Sequence, residues 1–298
     1  MSVTSLALLL VAAVLHAVSN ALMKQARDKL AFAWWMLGAS SILGLPIWLS
    51  VRNAEPTGWL LVVVSGLLEA IYFFALTRAY SHGDLSQVYP LARGSAPLFV
   101  LVWAAFFLDE RPSVAGLAGI LLVVAGLYLV NLPSLADWRR PLLGFSRPAS
   151  RWALFTGLMI SSYSTVDKVG VRYFDPLTYL YLLLCVTWLV FTPQWWMSAR
   201  RAALIREVWA SGEARDRRPD ARSLLRIVGG ALGGLAAYVL VLTAMRLSPV
   251  SYVSPTREVS VVIGAWIGVR FMGEQGGGLR VTASALVAAG ILIIAIAG

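Results

Sequence analysis

The sequence is poor in charge and in the residues that build metal or disulfide sites. Charged residues make up 13% of the 298 residues, whereas a soluble domain carries roughly 25%. A single cysteine, Cys185, excludes an intrachain disulfide and a cysteine-based metal site. The sequence also lacks a phosphate-binding glycine loop and a nucleophile elbow. We therefore predict a protein that is not an enzyme and has no cofactor and no metal.

Apolar runs of roughly 20 residues recur along the chain instead, each long enough to span a hydrocarbon core of about 30 Å. The runs are continuously apolar, and every backbone polar group must be paired within lipid, so we predict helices rather than strands. The predicted spans lie near 4–24, 31–50, 57–80, 85–108, 112–132, 151–171, 176–198, 224–246, 249–272 and 279–297. The predicted fold is an all-α integral membrane protein with ten transmembrane helices.

The two halves of the chain resemble each other. Pro90 corresponds to Pro255 at an offset of 165 residues, and Arg93 corresponds to Arg257 at an offset of 164. Matches of proline, arginine and glutamate in the same order are hard to obtain by chance between apolar helices. The sequence therefore predicts two five-helix repeats.

The first repeat is predicted at 4–132, the inter-repeat loop at 133–150 and the second repeat at 151–297. Since each repeat has an odd number of helices, the second enters the membrane in the opposite orientation. Inverted repeats of this kind build secondary transporters, whose solute site lies near the middle of the membrane at the repeat interface.

Positive charge is concentrated in loops on one side of the predicted membrane. The odd-numbered loops, which include the basic loop 199–223, carry 18 of the 25 lysines and arginines, and the even-numbered loops carry 5. The positive-inside rule then places the odd-numbered loops in the cytoplasm and both termini outside a bacterial inner membrane. The net charge of +10 is explained by these loops, so nucleic acid is not a predicted partner.

Two segments carry a family resemblance. FFLDERPSVAGLAGILLVVAGLYLV and RFMGEQGGGLRVTASALVAAGILIIAI each have a glutamate after the fourth helix of a repeat and a glycine sixteen residues later. They resemble the EamA domain, and two such domains in about 300 residues resemble the drug/metabolite transporter superfamily. The resemblance implies ten helices around a central cavity and secondary transport of small metabolites, often outward.

Ionisable residues inside the spans are candidate site residues, because a charge at the bilayer centre costs at least about 2.5–3.5 kcal/mol. Arg93 and Arg257 follow Pro90 and Pro255, which are predicted hinges. Paired guanidinium groups suit a carboxylate or phosphate, so both arginines are predicted to bind or gate the solute. The alternative is that they only pin helices together, for example through Glu258, the neighbour of Arg257 in sequence.

Further candidates follow from polarity within the spans. Glu69 is predicted to carry a proton or to pair with an intramembrane arginine, whereas Asp167 and Lys168 are interpreted as an ion pair at a helix end. The remaining candidates are His16 and Glu258 for coupling or ion pairing, and Asn20, Tyr89 and Tyr252 for solute binding.

These observations predict a secondary active transporter that moves a small anionic or zwitterionic metabolite across the bacterial inner membrane by alternating access. Its expected partners are the solute, the lipid bilayer and a coupling proton, and a homodimer is left open. Two alternatives remain at this point. The protein could be a flippase for a lipid-linked headgroup, or a non-transporting membrane subunit that docks a partner through loop 199–223.

Overall fold

The computed structural model describes residues 1–48, 51, 55–82, 85–130, 132, 134–139, 147–196, 201–208, 220–263, 266 and 278–297. Over these ranges the chain forms helices and turns without a strand. The twelve α-helices are α1 (Val3–Lys24), α2 (Lys29–Leu43), α3 (Leu45–Trp48), α4 (Pro56–His82), α5 (Leu85–Phe107), α6 (Val114–Leu129), α7 (Pro148–Gly170), α8 (Pro176–Trp196), α9 (Arg201–Val208), α10 (Ala221–Leu247), α11 (Val250–Arg257) and α12 (Gly278–Ala297). Residues 259–263 are also helical.

Each of the ten predicted spans overlaps at least one of these helices, and the second overlaps both α2 and α3. The all-α membrane fold is confirmed. Five helices of the described chain are long and apolar enough to cross a membrane: Val3–Met23, Pro56–His82, Pro176–Pro193, Ala221–Leu247 and Gly278–Ala297. Shorter apolar helices cover Lys29–Leu43, Leu91–Phe107 and Val114–Leu129. The ninth predicted span is described as far as residue 263 and at residue 266, and its remainder lies outside the described residues.

The most extensive helix contacts join the two halves. Helix α1 packs against α10, and α7 packs against α4. In the predicted repeats, α1 corresponds to α7 and α4 corresponds to α10. The contact of α1 with α10 is therefore equivalent to the contact of α7 with α4. The halves are therefore interlocked, and residues of both line their common interface.

Helices α6 and α12 approach each other closely through glycines. A Cβ atom on Gly290 would lie 2.5 Å from the main-chain oxygen of Gly119, and a Cβ atom on Gly126 would lie 2.7 Å from that of Ala283. Gly126 and Gly290 are the glycines that follow the two repeat-related glutamates. Small residues at such contacts let helix backbones touch, which is a main source of packing energy in lipid.

Substituting alanine for Gly290 is expected to destabilise the protein by about 1–3 kcal/mol, because its methyl group would force the α6 and α12 backbones apart. Gly94 provides the control, since a Cβ atom there meets nothing within 4 Å. Gly94→Ala is expected to leave the melting temperature unchanged or raise it. Thermal unfolding of the detergent-solubilised variants compares the two, and equal melting temperatures would contradict the packing argument.

Polar side chains tie helix ends together, both between the repeats and within the second repeat. Glu110 accepts hydrogen bonds from the backbone N–H groups of Val250 and Ser251, both at 2.9 Å, so it caps α11 of the opposite half. Lys168 at the end of α7 donates to the main-chain oxygens of Met245 and Ser248. The predicted ion pair between Asp167 and Lys168 is therefore wrong, since the lysine is used to cap α10.

Part of loop 199–223 is a helix docked on the chain itself. Leu204 and Glu207 of α9 are buried, and the Glu207 carboxylate accepts a 2.9 Å hydrogen bond from the backbone N–H of Asp28. Burial raises the pKa of Glu207, and the Asp28 N–H and the charge of Arg27 offset that effect in part. Residues 201–208 thus stabilise the connection between α1 and α2, and the docking of a partner through this loop stays a prediction.

Candidate functional site

Four of the predicted site residues meet where α1, α5 and α11 converge. Arg93 Nη1 donates to Glu258 Oε1 at 3.1 Å, and Arg93 Nη2 lies 3.2 Å from Nε2 of His16. Arg257 Nε donates to the same glutamate oxygen at 3.3 Å. Two arginines that correspond between the repeats therefore share one carboxylate oxygen. We call His16, Arg93, Arg257 and Glu258 the central cluster.

Helix α11 ends at Arg257, and Glu258 is its C-terminal cap. Pro255 has no N–H group to bond to the preceding turn, and α11 ends two residues later at Arg257. The N–H of Glu258 returns to the main-chain oxygen of Pro255 at 3.2 Å. Helix α5, in contrast, is uninterrupted through Pro90. The side chains of Pro90 and Tyr89 lie outside the described residues, and the hinge role of both prolines stays a prediction.

A second buried cluster surrounds Asp167, which is 0% exposed. Its Oδ1 accepts hydrogen bonds from the hydroxyls of Ser65 at 2.5 Å and Tyr179 at 3.0 Å, and its Oδ2 accepts one from Tyr238 at 2.6 Å. The three donors come from α4, α8 and α10. We call these four residues the Asp167 cluster. One carboxylate thus joins four helices drawn from both halves.

Sequence reasoning missed the Asp167 cluster. Asp167 lies in an apolar span, which was a usable signal, but the adjacent Lys168 suggested a simple ion pair. The three hydroxyl donors are scattered over the sequence, and no spacing connects them. A carboxylate close to the end of an apolar span was the feature that could have identified the site, because an ionisable group within lipid is costly.

Helix α7 connects the two clusters. Arg257 Nη1 donates to Ser164 Oγ at 3.4 Å, and Ser164 precedes Asp167 by three residues, about one helical turn. Lys168 follows Ser164 by four residues on the same face of α7, and Arg172 lies two residues beyond the end of this helix. A half-open cavity of about 270 Å³ lies at this end of α7, and it is lined by Lys168, Val171, Arg172, Met245 and Arg246.

Glu69 lies beside the Asp167 cluster. Thr187 Oγ1 lies 2.8 Å from Glu69 Oε2 and can donate to it, which joins α4 to α8. Tyr72, one turn further along α4, contacts Tyr163 of α7 with ring centroids 5.9 Å apart. The sequence left open whether Glu69 pairs with an intramembrane arginine. In the structure, the carboxylate that pairs with Arg93 and Arg257 is that of Glu258.

The other two predicted solute contacts are placed differently. The Tyr252 hydroxyl accepts a hydrogen bond from the backbone N–H of Ser113 at 3.1 Å, and its ring covers Gly116 so closely that a Cβ atom there would clash. Tyr252 is thus used to pack α11 against the start of α6. Asn20 is half-buried on α1, four residues after His16.

The central cluster carries more positive than negative charge. Two guanidinium groups face one carboxylate, which leaves an excess of positive charge beside a histidine. Arginine remains protonated at physiological pH and binds carboxylates through two parallel hydrogen bonds. Within the ranges that the structure describes, no group of three or more His, Cys, Asp or Glu residues is placed to hold a metal ion.

The profile of the EamA-like transporter family matches residues 3–132 and 148–296. The chain belongs to this family. The family assignment covers both halves of the interlocked structure, and it confirms the resemblance seen in the sequence. It also establishes that the protein is of a transporter type and a multi-pass integral membrane protein.

Individual relatives are more distant. Pseudopaline exporters CntI from two strains of Pseudomonas aeruginosa, UCBPP-PA14 and PAO1, are each 26% identical to this member of the EamA-like family over 278 residues, which is 91% of this chain and 88% of theirs. A solved crystal structure is 18% identical, with a TM-score of 0.71, and the match covers 99% of this chain and 98% of the other. At that identity the solved structure supports the fold alone.

Proposed function

We propose that this protein is a secondary transporter that exports a small anionic or zwitterionic metabolite across the bacterial inner membrane by alternating access. The observation that carries the proposal is the central cluster, where arginines from both halves share one carboxylate oxygen. The likeness to exporters of Pseudomonas aeruginosa supports the outward direction.

Competition for the arginines gives the transport cycle a physical basis. Without solute, Arg93 and Arg257 are held together by Glu258. An anionic group of the solute that binds the guanidinium groups lowers their attraction to Glu258, so binding weakens the contact between α5 and α11. Since these helices belong to different halves, the weakening of this contact is coupled to movement of one repeat against the other.

The order of polar groups along α7 suggests a solute path. From Ser164 at the central cluster, the chain passes Asp167 and reaches the basic cavity at Lys168, about 6 Å further along the helix. In the orientation predicted from the positive-inside rule, this cavity opens to the outside and forms the exit. His16, Glu69 and Glu258 are the proposed proton-coupling groups.

A comparison of culture media tests the export activity. Cells that express the protein are expected to accumulate at least one small carboxylate-containing compound in the medium, relative to cells with an empty vector, as measured by untargeted mass spectrometry. Identical media from both cultures would contradict export. Depletion of a compound from the medium would reverse the proposed direction.

A further inference from the structure

We infer that the solute of the central cluster carries both a carboxylate and a protonated amine, with the carboxylate bound by Arg257 and the amine bound by Glu258. This inference rests on the proposed transporter function and narrows its substrate class from anions and zwitterions to amino-carboxylates. The inference is based on the hydrogen bonds of the central cluster and on two of its polar atoms that make none.

One donor and one acceptor of the central cluster have no partner among the residues that the structure describes. Arg257 Nη2 and Glu258 Oε2 are fully buried and make no hydrogen bond. The two side chains are 9% and 1% exposed. Buried charged groups in folded proteins are almost always paired, so two unpaired atoms on adjacent residues mark a place where a ligand completes the pairing.

The unpaired atoms are on opposite charges. Every other polar atom of the Arg257 guanidinium is used, since Nε donates to Glu258 Oε1 and Nη1 donates to Ser164 Oγ. Glu258 Oε1 accepts from both arginines, whereas Oε2 accepts from neither. The site therefore offers a guanidinium N–H that needs an anionic acceptor and a carboxylate oxygen that needs a cationic donor.

Only a solute with both charges satisfies the two atoms together. A plain carboxylate would pair with Arg257 but would face the unpaired oxygen of Glu258 and be repelled by it. A plain amine would pair with Glu258 but would face two guanidinium groups. An ammonium group supplies three N–H donors and no acceptor, which is what Glu258 Oε2 requires.

The test uses sets of three probes with a common side chain. Each protein amino acid with a primary amine and an uncharged side chain is compared with its 2-hydroxy acid, which lacks the amine, and with its decarboxylated amine, which lacks the carboxylate. The purified full-length protein in detergent is titrated with each probe, and the melting temperature is recorded. A ligand that binds only the folded state raises it by mass action.

We expect that at least one amino acid raises the melting temperature at a concentration ten-fold or more below that needed for the same effect with its hydroxy acid or its decarboxylated amine. Equal stabilisation by the hydroxy acid would overturn the amine contact and leave the proposed transporter of anions standing. Equal stabilisation by the decarboxylated amine would overturn the carboxylate contact. Stabilisation by none of the probes would overturn the inference and count against the central cluster as a solute site.

Variants identify the contacts in the same assay. Glu258→Gln is expected to bring the amino acid and the hydroxy acid within two-fold of each other, because the charge that selects the amine is removed. Arg257→Gln is expected to abolish stabilisation by both. Asp109→Asn, whose side chain is 84% exposed, provides the matched control and is expected to keep the wild-type preference. Unchanged selectivity in Glu258→Gln would contradict the assignment.

Discussion

Replacing Arg257 with alanine is expected to lower transport at least 100-fold. Arg257 holds Glu258 and Ser164 at once, and its removal leaves a carboxylate that is 1% exposed with Arg93 alone. Breaking a buried ion pair by removing one partner costs about 3–5 kcal/mol, which corresponds to at least a 100-fold effect if the pair is needed in the transport cycle. Arg93→Ala is expected to act in the same direction.

Lysine is not expected to restore activity at position 257. The guanidinium reaches Glu258 through Nε and Ser164 through Nη1, and a single ammonium group cannot reproduce this planar arrangement. The initial rate of solute uptake into proteoliposomes measures the effect, after normalisation to folded protein by size-exclusion chromatography.

Arg111 offers a matched control for this measurement, because its side chain is 86% exposed and pairs only at the surface with Asp109. Exposed pairs of this kind contribute about 0–1 kcal/mol. Arg111→Ala should therefore transport within two-fold of wild type. If Arg257→Ala also stayed within about three-fold, the arginines would pin helices without a role in transport.

Replacing Asp167 with alanine is expected to destabilise the helix bundle more than replacing Gly290 with alanine. The hydroxyls of Ser65, Tyr179 and Tyr238 would lose their common acceptor. Interhelical hydrogen bonds in membrane proteins contribute roughly 0.6–1.7 kcal/mol each, so the loss of three is worth about 2–5 kcal/mol. Thermal unfolding in detergent is expected to show a melting temperature lower by several degrees.

Two milder variants separate the hydrogen bonds from the volume of the side chain. Asp167→Asn keeps the shape and one carbonyl acceptor, and Tyr238→Phe removes a single donor. Both are expected to fall between wild type and Asp167→Ala, with Tyr238→Phe the closer to wild type. An Asp167→Ala protein with the wild-type melting temperature would show that the carboxylate contributes no net stability.

The repeated order of proline, arginine and glutamate in the two halves made the central arginines predictable. Arg93 and Arg257 stood out because a charge in lipid is costly and each followed a proline at a corresponding position. Their placement in one cluster with His16 and Glu258 required the helices to be packed. The sequence also placed Glu258 correctly as a candidate arginine partner, because it is the neighbour of Arg257.

Other parts of the site could not be predicted because their partners are distant in the chain. Asp167 is bound by hydroxyls 102, 12 and 71 residues away. Glu110 caps a helix of the opposite half, 140 residues further on. Tyr252 was a candidate for solute binding, but its hydroxyl is bound to the backbone of α6.

The sequence by itself determined the fold class, the helix positions and the twofold repeat, because hydrocarbon thickness fixes the length of a span and lipid forces each span to satisfy its own backbone. Only the tertiary structure decided which polar side chains meet. In lipid, a buried side chain finds its hydrogen-bond partner on another helix, and which helix that is depends on packing through contacts such as Gly119 against Gly290.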